Sequence, residues 1–350
     1  MTSDPPYPPA LAPEFGPDYA LVSCMRNEGL FIVEWLAHHL TVGFDEITIF
    51  TNTCTDGSDL LLDRLQALGY CRHIRHEPAP GTSPQMNAMR LAFTDARLMS
   101  AGWLMHIDAD EFLCITTGEG RIADLVAQVG AEADVIAVLW KLFGDNGIER
   151  WTGGDVLPRF TRAQAAPLRR VVNHKSLFRP QKFGICTDHM PKQPLVDSFT
   201  VVNTAGQEVS PEMVHHPRKS RYKMKFSQQT FANASLHHYA VKSLDIFLMK
   251  NDRGDGNAVE RNGYFRNSTQ HRRYNINDAE DRAILVYQAQ SQALMAQMRQ
   301  DPQVRALEAA ATEAWLARRD RILTPEQIDA WTAHPRDTTD EATDVETSDS

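Results

Sequence analysis

Two aspartates one residue apart, Asp108 and Asp110, are the residues of this sequence with the clearest chemical potential. They follow an apolar run over residues 103–107 that is typical of a buried strand, and side chains two positions apart on an extended chain project to the same side. Two adjacent carboxylates repel each other unless a positive charge lies between them. Because Mg2+ and Mn2+ are bound by carboxylate oxygens, waters and substrate phosphates, the pair predicts a site for a divalent metal and a diphosphate. A solvated acidic turn is the alternative.

Alternating strand and helix patterns precede this pair. Four stretches have the apolar character of buried strands, and between them apolar residues recur at helical spacing. The predicted strands cover residues 20–25, 47–50, 71–75 and 103–108, and the predicted helices begin near Ile32, Ser58 and Ser83. Gly43 is predicted to end the first helix, and Ser83 followed by Pro84 is a favourable start for the third.

Strands that alternate with helices predict a mainly parallel sheet with helices on its faces. Ligands of such sheets bind beyond the carboxyl ends of the strands. Three strand exits carry unusual polar chemistry: residues 26–28, 52–58 and 108–110. We therefore expect Glu28, Asp56 and Asp110 to lie together at one edge of the sheet.

Composition and charge favour a soluble globular protein with an anionic ligand. Of the 350 residues, 42% are hydrophobic, no apolar run approaches the ~18 residues of a membrane span, and the N-terminus lacks a signal pattern. The formal charge is -9, yet residues 150–273 hold 21 Lys and Arg against 9 Asp and Glu. Nucleic acid is not expected as a partner, because no recognition motif appears. The five cysteines include no Cys-x-x-Cys pair, which is typical of reduced cytosolic thiols.

Several short motifs follow one another in a specific order. The first strand is followed by Arg-Asn-Glu, the second by Asn-x-Cys-x-Asp-Gly-Ser, and the fourth ends in Ile-Asp-Ala-Asp-Glu-Phe. Further matching stretches are residues 140–144, 174–180 and 238–243, then Phe247, Lys250 and the Arg-Gly pair at 253–254. Over residues 18–265 this order resembles glycosyltransferase family 2, and within it a bacterial branch related to the family 92 transferases, formerly uncharacterised family 23.

The resemblance implies an α/β fold of the A-type glycosyltransferase class: a Rossmann-like, mainly parallel sheet flanked by helices, with a C-terminal helical appendage. It implies a metal-dependent, inverting transferase that moves a sugar from a nucleoside diphosphate sugar to a glycan or another hydroxyl acceptor. The implied cofactor is Mn2+ or Mg2+, which stabilises the charge of the leaving diphosphate and is bound by Asp108, Asp110 and His238. A structural role for His238 is the alternative, and the adjacent His237 leaves the register open.

The donor site implied by the resemblance comprises seven residues: Arg26, Glu28, Asn52, Asp56, Asp108, Lys242 and Arg253. Paired glycines after Arg253 predict a mobile loop that closes over the diphosphate. Asp56 is alternatively the cap of the next helix, as its Asp-Gly-Ser context suggests. Glu111 either supports the aspartate pair or contacts the sugar, and its alternative is a surface acid at a helix start.

The catalytic base is less clearly marked. An inverting transfer needs a group that takes the proton of the acceptor hydroxyl, and the Glu-Asp pair of many family 2 enzymes is absent here. Asp145 and Asp188 are the candidates, with His189 as a rival. Since Asp-Asn-Gly is also a strong turn sequence, a turn is the alternative interpretation of Asp145.

The predicted organisation has five parts. They are a disordered N-terminus (1–15), a nucleotide-sugar half (16–115) and an acceptor half (116–270) of one A-type domain, C-terminal helices (271–333) and a disordered acidic tail (334–350). The protein is expected in the cytoplasm. A basic and apolar tract over residues 218–226 predicts either a solvated helix face or contact with the inner face of the membrane, where a lipid-linked acceptor would lie.

Two other classes of function stay open. A nucleotidyltransferase that makes nucleotide sugars is disfavoured, because no glycine-rich segment follows the first strand. A non-catalytic protein that binds glycans or nucleotide sugars is disfavoured because Asp108, Asp110 and His238 are all present.

Overall fold

The computed structural model describes residues 16–129, 132–169, 173–217, 219–253 and 263–333. The predicted disordered segments 1–15 and 334–350 and the predicted mobile loop after Arg253 lie outside these residues. The strands of the described residues are β1 (Tyr19–Met25), β2 (Glu46–Thr51), β3 (Arg72–Arg75), β4 (Trp103–His106), β5 (Glu111–Ile115), β6 (Val135–Leu142), β7 (Arg162–Ala163), β8 (His174–Phe178), β9 (Phe183–Cys186), β10 (Pro191–Pro194), β11 (Val201–Asn203), β12 (Ala234–His238) and β13 (Ala279–Glu280).

The α-helices of the described residues are α1 (Ile32–Val42), α2 (Ser58–Ala67), α3 (Pro84–Ala92), α4 (Ala96–Met99), α5 (Ile122–Val129), α6 (Glu212–His215), α7 (Leu244–Arg253), α8 (Thr269–Tyr274), α9 (Gln288–Met298), α10 (Pro302–Ile322) and α11 (Pro325–Ala333). Short 3-10 turns cover Pro180–Lys182, Phe226–Gln228 and Ala283–Tyr287. The strands and helices predicted before residue 108 are all present, with α4 as an unpredicted short addition.

One large sheet connects both halves of the chain, in the order β3-β2-β1-β4-β8-β6-β12-β5, with β11 also beside β6. Strands β1 to β4 are parallel to one another, and β11 and β12 are parallel to β6. Strand β8 runs antiparallel between β4 and β6, and β5 runs antiparallel to β12. The predicted α/β fold with a mainly parallel sheet is therefore confirmed, and the antiparallel strands are an addition to it.

Local signals position the first helices as predicted. Every residue of α1 is buried, because the helix lies between the sheet and α9. Gly43 ends α1 with φ of +108°, a left-handed conformation in which glycine is favoured. The Ser83 hydroxyl accepts a hydrogen bond from the Met86 N–H at the start of α3. The Ser83 cap lies in the loop after the carboxyl end of β3, whereas Gly43 lies in the loop before the amino end of β2.

The C-terminal helices form the predicted appendage and pack back onto the sheet domain. Helix α9 packs on α1, and α10 packs on both α2 and α7. Ion pairs fix α10: Arg64 binds Asp301 at its start, and Arg319 lies 3.2 Å from Asp245 of α7. None of the helices in the described part of the chain combines the length and the apolar character of a transmembrane span.

Candidate functional site

Asp108 and Asp110 lie in a turn between β4 and β5. The strand ends at His106, and the Glu111 N–H donates to the Asp108 carbonyl oxygen at 3.1 Å. The Trp35 indole N–H fixes the turn by donating to the carbonyl oxygens of Asp108 (3.2 Å) and Glu111 (3.0 Å). The prediction that strand alternation aligns the two aspartates is wrong, because the chain turns here. Both side chains nevertheless reach the same cleft.

This cleft has a volume of about 430 Å³ and lies beyond the carboxyl ends of β1, β2 and β4. The predicted site residues that line it are Arg26, Glu28, Asn52, Asp108, Asp110, Asp188 and His238. A smaller cavity of about 80 Å³ adjoins the cleft and is lined by Asp56 and Lys242. Glu28, Asp110 and Lys250 line both spaces and form their common wall.

A buried lysine neutralises the first aspartate. The Lys175 ammonium, which is fully buried, donates to Asp108 at 2.9 Å and lies 3.5 Å from the Glu111 carboxylate. The Gln85 amide donates to the other Asp108 carboxylate oxygen at 2.9 Å. Glu111 accepts a hydrogen bond from the Asp108 N–H at 2.9 Å and is itself fully buried at the start of β5. Glu111 therefore supports the aspartate pair, and its alternative as a surface acid at a helix start is wrong.

Burial and charge set the ionisation of this cluster. Burial would raise the pKa of Asp108, but the charge and hydrogen bond of Lys175, together with the nearby His106, hold that pKa below its ordinary value. Burial raises the pKa of Glu111 well above its ordinary value, against the opposing effect of Lys175. Burial would lower the pKa of Lys175, yet Asp108 and Glu111 together raise it. Lys175 thus stays charged, and Asp108 is the anion it stabilises.

The second aspartate has a different set of partners. Lys250 donates to one Asp110 carboxylate oxygen at 3.0 Å, and His238 Nε2 lies 3.5 Å from the other. Burial would raise the pKa of Asp110, but Lys250 and His238 hold it well below its ordinary value. The Tyr239 N–H donates to the Asp110 carbonyl oxygen at 2.8 Å, which joins the turn to the end of β12. The predicted proximity of His238 and Asp110 is therefore observed across 128 residues of sequence.

The register of the adjacent histidines follows from strand geometry. Successive residues of a strand point to opposite faces. His237 packs against Phe143, with ring centroids 4.5 Å apart, on the side away from the cleft. His238 faces the cleft and lies 4.1 Å from the Trp140 ring. His238, and not His237, is the residue available to a ligand of Asp110.

The donor atoms near Asp110 suit a divalent metal that also binds phosphate. Asp110 Oδ1 and His238 Nε2 lie 3.5 Å apart, and both would be ligands for an ion that takes ligands at about 2.0–2.1 Å and keeps waters and phosphates in its shell. Within the described residues, no group of three or more His, Cys, Asp or Glu side chains is arranged to hold a metal. Both carboxylate oxygens of Asp108 accept hydrogen bonds, from Lys175 and Gln85, whereas Lys250 donates to one oxygen of Asp110 and leaves the other facing His238. The three-residue metal set stays a prediction, and Asp110 with His238 is the part that the geometry supports.

Two other predicted residues have structural contacts. The Asp56 carboxylate accepts hydrogen bonds from the N–H groups of Gly29 (3.1 Å) and Ser58 (2.9 Å). It therefore forms an Asx turn onto the first residue of α2, whose N-cap is Gly57, and links the loops after β1 and β2 beside the smaller cavity. The Asp145 carboxylate accepts from the Gly147 N–H at 2.8 Å and from the Asn275 amide at 2.8 Å. Asp145 is not among the described residues that line either space, so the structure places it in a turn.

The remaining predicted residues lie as follows. Lys242 is buried beside the smaller cavity, with its ammonium 4.8 Å from the Phe31 ring centroid. Arg253 is the last residue of α7, and its side chain lies outside the described part of the chain. Asp188 lies between β9 and β10 and lines the cleft together with His189. The His189 Nδ1–H donates to the His174 carbonyl oxygen at 2.9 Å, and burial lowers the pKa of His189 to about 3.

The basic and apolar tract over residues 218–226 contributes to the cleft. Ser220 and Arg221 line it, and Tyr222 is buried with its hydroxyl 3.2 Å from that of Ser176. The described part of the tract before Phe226 is irregular, so the predicted helix face is wrong. Contact with a membrane stays a prediction.

Two residues of the site were assigned no role from the sequence: Gln85 and Lys175. Lys175 lies in β8, whose residues are all buried. A lysine inside a buried strand needs an anionic partner. That partner is identified only by the antiparallel pairing of β8 with β4.

The sheet and the cleft define an α/β protein in whose candidate site the Asp108 and Asp110 carboxylates are each hydrogen-bonded to a lysine. A model of glycosyltransferase family 92 matches residues 20–286, which is most of the chain. This chain therefore belongs to glycosyltransferase family 92. The family 92 part of the resemblance is confirmed, whereas the family 2 grouping and the bacterial branch stay predictions.

Curated relatives include plant members of the family. A family 92 protein of Ricinus communis is 25% identical over 181 residues, which are 49% of this chain and 30% of that protein. Another, of Oryza sativa subsp. japonica, is 26% identical over 161 residues, or 45% of this chain and 26% of that protein. The chain spans about a third or less of the length of these two relatives.

Solved structures with partial similarity include S. aureus TarS and a mannosyltransferase. Residues 1–349 of TarS from S. aureus are 16% identical, with 47% of each chain covered and a TM-score of 0.32. The mannosyltransferase PcManGT from Pyrobaculum calidifontis, solved with GDP-Man and Mn2+, is 16% identical, with 38% of this chain and 39% of that chain covered and a TM-score of 0.28. Similarities of this size support no conclusion about function.

Proposed function

We propose that this family 92 protein is a metal-dependent, inverting glycosyltransferase that moves a sugar from a nucleoside diphosphate sugar to a hydroxyl of a glycan. One observation carries the proposal. Asp110, His238 and Lys250 meet on the wall between the two ligand spaces, where an anionic diphosphate would find a cation and a pair of metal ligands. Leaving-group charge is what such a transfer must stabilise.

Asp110 and His238 would hold Mn2+ or Mg2+, which when bound stabilises the negative charge of the leaving diphosphate. Lys250, hydrogen-bonded to Asp110 on the same wall, adds a second positive charge beside that diphosphate. Asp108 is fixed by Lys175 and Gln85 and accepts a hydrogen bond from a donor hydroxyl or a metal-bound water. Arg26, Glu28 and Asn52 line the adjacent part of the cleft and bind the remainder of the donor.

Asp188 is the proposed catalytic base. The acceptor oxygen attacks the anomeric carbon of the donor sugar, the bond from that carbon to the diphosphate oxygen breaks, and the acceptor proton passes to the Asp188 carboxylate. Asp188 lines the cleft, whereas the Asp145 carboxylate is engaged in a turn. With a pKa of about 3, the His189 ring is a poor base at neutral pH.

Binding of the donor tests the proposal. Nucleotide sugars with different bases and sugars are each added with and without Mn2+, and the shift in melting temperature is measured, since a ligand of the native state raises it. We expect at least one donor to stabilise the wild type when Mn2+ is present, and Asp110→Ala to abolish that shift with its own fold intact. Stabilisation of Asp110→Ala equal to that of the wild type would reject the metal assignment.

A matched pair of variants tests the base. Asp188→Asn and Asp145→Asn make the same chemical change, one in the cleft and one in a turn. With Mn2+, a nucleotide sugar and a panel of glycan acceptors, we expect Asp188→Asn to lower the release of nucleoside diphosphate at least 100-fold with donor binding retained. We expect Asp145→Asn to affect stability more than turnover. Equal turnover of Asp188→Asn and the wild type would contradict the assignment, and binding without turnover in the wild type would favour a non-catalytic protein.

A further inference from the structure

The lining of the main cleft comes from two groups of segments. The loops after β1, β2 and β4 carry most of the contacts proposed for the donor. Later segments contribute residues to which the proposed donor site assigns no contact: His189, Ser220, Arg221, Tyr264, Gln270 and Tyr274. These later residues are therefore available to the acceptor.

Half-buried aromatic rings are fixed among these later residues. His189 and Tyr274 both pack edge-on against the buried Trp140, with ring centroids 5.5 and 6.3 Å away. Tyr264 packs edge-on against the buried Phe247, with centroids 5.3 Å apart. Such rings offer an apolar face and a polar edge. A sugar has C–H groups on its faces and hydroxyls around its edge, so it matches this part of the lining.

Arg221 brings a positive charge to the same part of the cleft. Its side chain is half-buried, and none of the ion pairs within the described part of the chain includes it, even though Asp188 lines the same cleft. Burial lowers the pKa of His189 to about 3 and that of His174 well below its ordinary value, so both nearby rings are neutral at pH 7. Arg221 is therefore the group that an anion in this part of the cleft would meet.

The loop that carries Arg221 is held on both sides. Before it, the buried Lys192 ammonium donates to three backbone carbonyl oxygens, one of them that of Lys219. After it, the buried Tyr222 packs against His174 with ring centroids 4.4 Å apart. A side chain on an anchored loop has less freedom to lose when a ligand binds. Arg221 is thus positioned before any ligand arrives.

We propose that Arg221 selects an acceptor glycan that carries a negatively charged group, either a uronate carboxylate or a sugar phosphate. This inference rests on the proposed transferase function and names the class of its acceptor. The acceptor sugar lies against the rings of His189 and Tyr274, and its reacting hydroxyl faces Asp188. Its anionic group accepts paired N–H bonds from Arg221, because the planar guanidinium group matches two oxygens of either anion.

Matched pairs of glycans test this charge preference. The probes are oligogalacturonate and oligoglucuronate, each compared with its carboxyl-reduced form, and mannopentaose phosphate compared with mannopentaose. Each is titrated calorimetrically into the protein with Mn2+ and whichever of UDP and GDP binds the wild type more tightly. We expect the wild type to bind at least one acidic glycan at least tenfold more tightly than its neutral partner. Arg221→Gln should remove this preference, and Arg221→Lys, which keeps the charge, should keep part of it.

Nucleotide affinity is the second readout. Arg221→Gln should change the affinity for UDP or GDP less than twofold, because the donor contacts lie elsewhere in the cleft. Lys223→Gln removes an exposed positive charge two residues along the same tract, outside the lining of the cleft, and is the matched control. We expect it to leave both the glycan preference and the nucleotide affinity unchanged.

Each outcome decides between the ideas. A wild type that binds a nucleotide but prefers no acidic glycan to its neutral partner would overturn this inference and leave the proposed function standing. An equal tenfold loss of nucleotide and glycan affinity in Arg221→Gln would make Arg221 a contact of the donor and also overturn it. Loss of the preference in Lys223→Gln would contradict a selective role for Arg221. Failure of the wild type to bind UDP and GDP would overturn the proposed function itself.

Discussion

Replacing Lys175 with methionine should strongly destabilise the protein. Methionine has a similar length and fills the space of the lysine, so the change removes a positive charge with little loss of packing. The Lys175 side chain is fully buried, as is Glu111, whereas about a third of Asp108 is exposed. Without the ammonium, two carboxylates face each other with no charge between them.

The size of the effect follows from these contacts. Removing one partner of a buried ion pair costs about 3–5 kcal/mol, mostly because the other charge stays buried and unpaired. Water reaches Asp108 and Glu111 can take up a proton, so we expect the lower end, about 3 kcal/mol. The double variant Lys175→Met with Glu111→Gln removes one of the two carboxylates and should recover part of the loss.

Urea unfolding at pH 7 measures this free energy. Lys223→Met is the matched control, because its ion pair with Glu212 is exposed on both sides, and such pairs contribute at most about 1 kcal/mol. A free energy of unfolding for Lys175→Met within 0.5 kcal/mol of the wild type, a margin of about the scatter of surface substitutions, would refute the buried charge cluster.

Three further changes test other parts of the structure. Burial lowers the pKa of His38 to about 4 from 6.5. The neutral ring therefore contributes fully to stability above pH 6.5, and that contribution is lost as the pH falls towards 4. Urea unfolding should show that His38→Gln loses about 2 kcal/mol less free energy of unfolding than the wild type between pH 7 and 5. Trp35→Phe removes the indole N–H that fixes the turn at Asp108 and Asp110. It should lower the free energy of unfolding by about 2 kcal/mol and weaken nucleotide-sugar binding in calorimetry. Gly43→Ala imposes a side chain on a left-handed residue and should lower stability by about 1–2 kcal/mol in thermal unfolding, without affecting binding.

The parts of the fold that local sequence controls could be predicted. Strands β1, β2 and β4 have apolar runs, and Gly43 and Ser83 mark helix ends through their own backbone and side-chain chemistry. The positions of Glu28 and Asp110 followed from a general property of parallel sheets, whose ligands bind at the carboxyl ends of the strands. These features need no knowledge of distant contacts.

The parts that depend on long-range pairing could not be predicted. Lys175 meets Asp108 because β8 enters the sheet antiparallel to β4, and no local pattern records that pairing. The same holds for Trp315 and Arg318, which reach the smaller cavity because α10 packs on α2 and α7. Asp145 is the opposite case: the local Asp-Asn-Gly sequence correctly indicated a turn, and the structure gives Asp145 the contacts of a turn residue.

Turnover of a donor tests the central claim most directly. Release of nucleoside diphosphate from a set of nucleotide sugars is measured with Mn2+ and a panel of glycan acceptors for the wild type and for Asp110→Asn, which retains the shape of the side chain and removes its charge. We predict release from at least one donor by the wild type and a loss of at least 100-fold in Asp110→Asn. Release by Asp110→Asn at the wild-type rate, or no release from any donor by the folded wild type, would contradict the account.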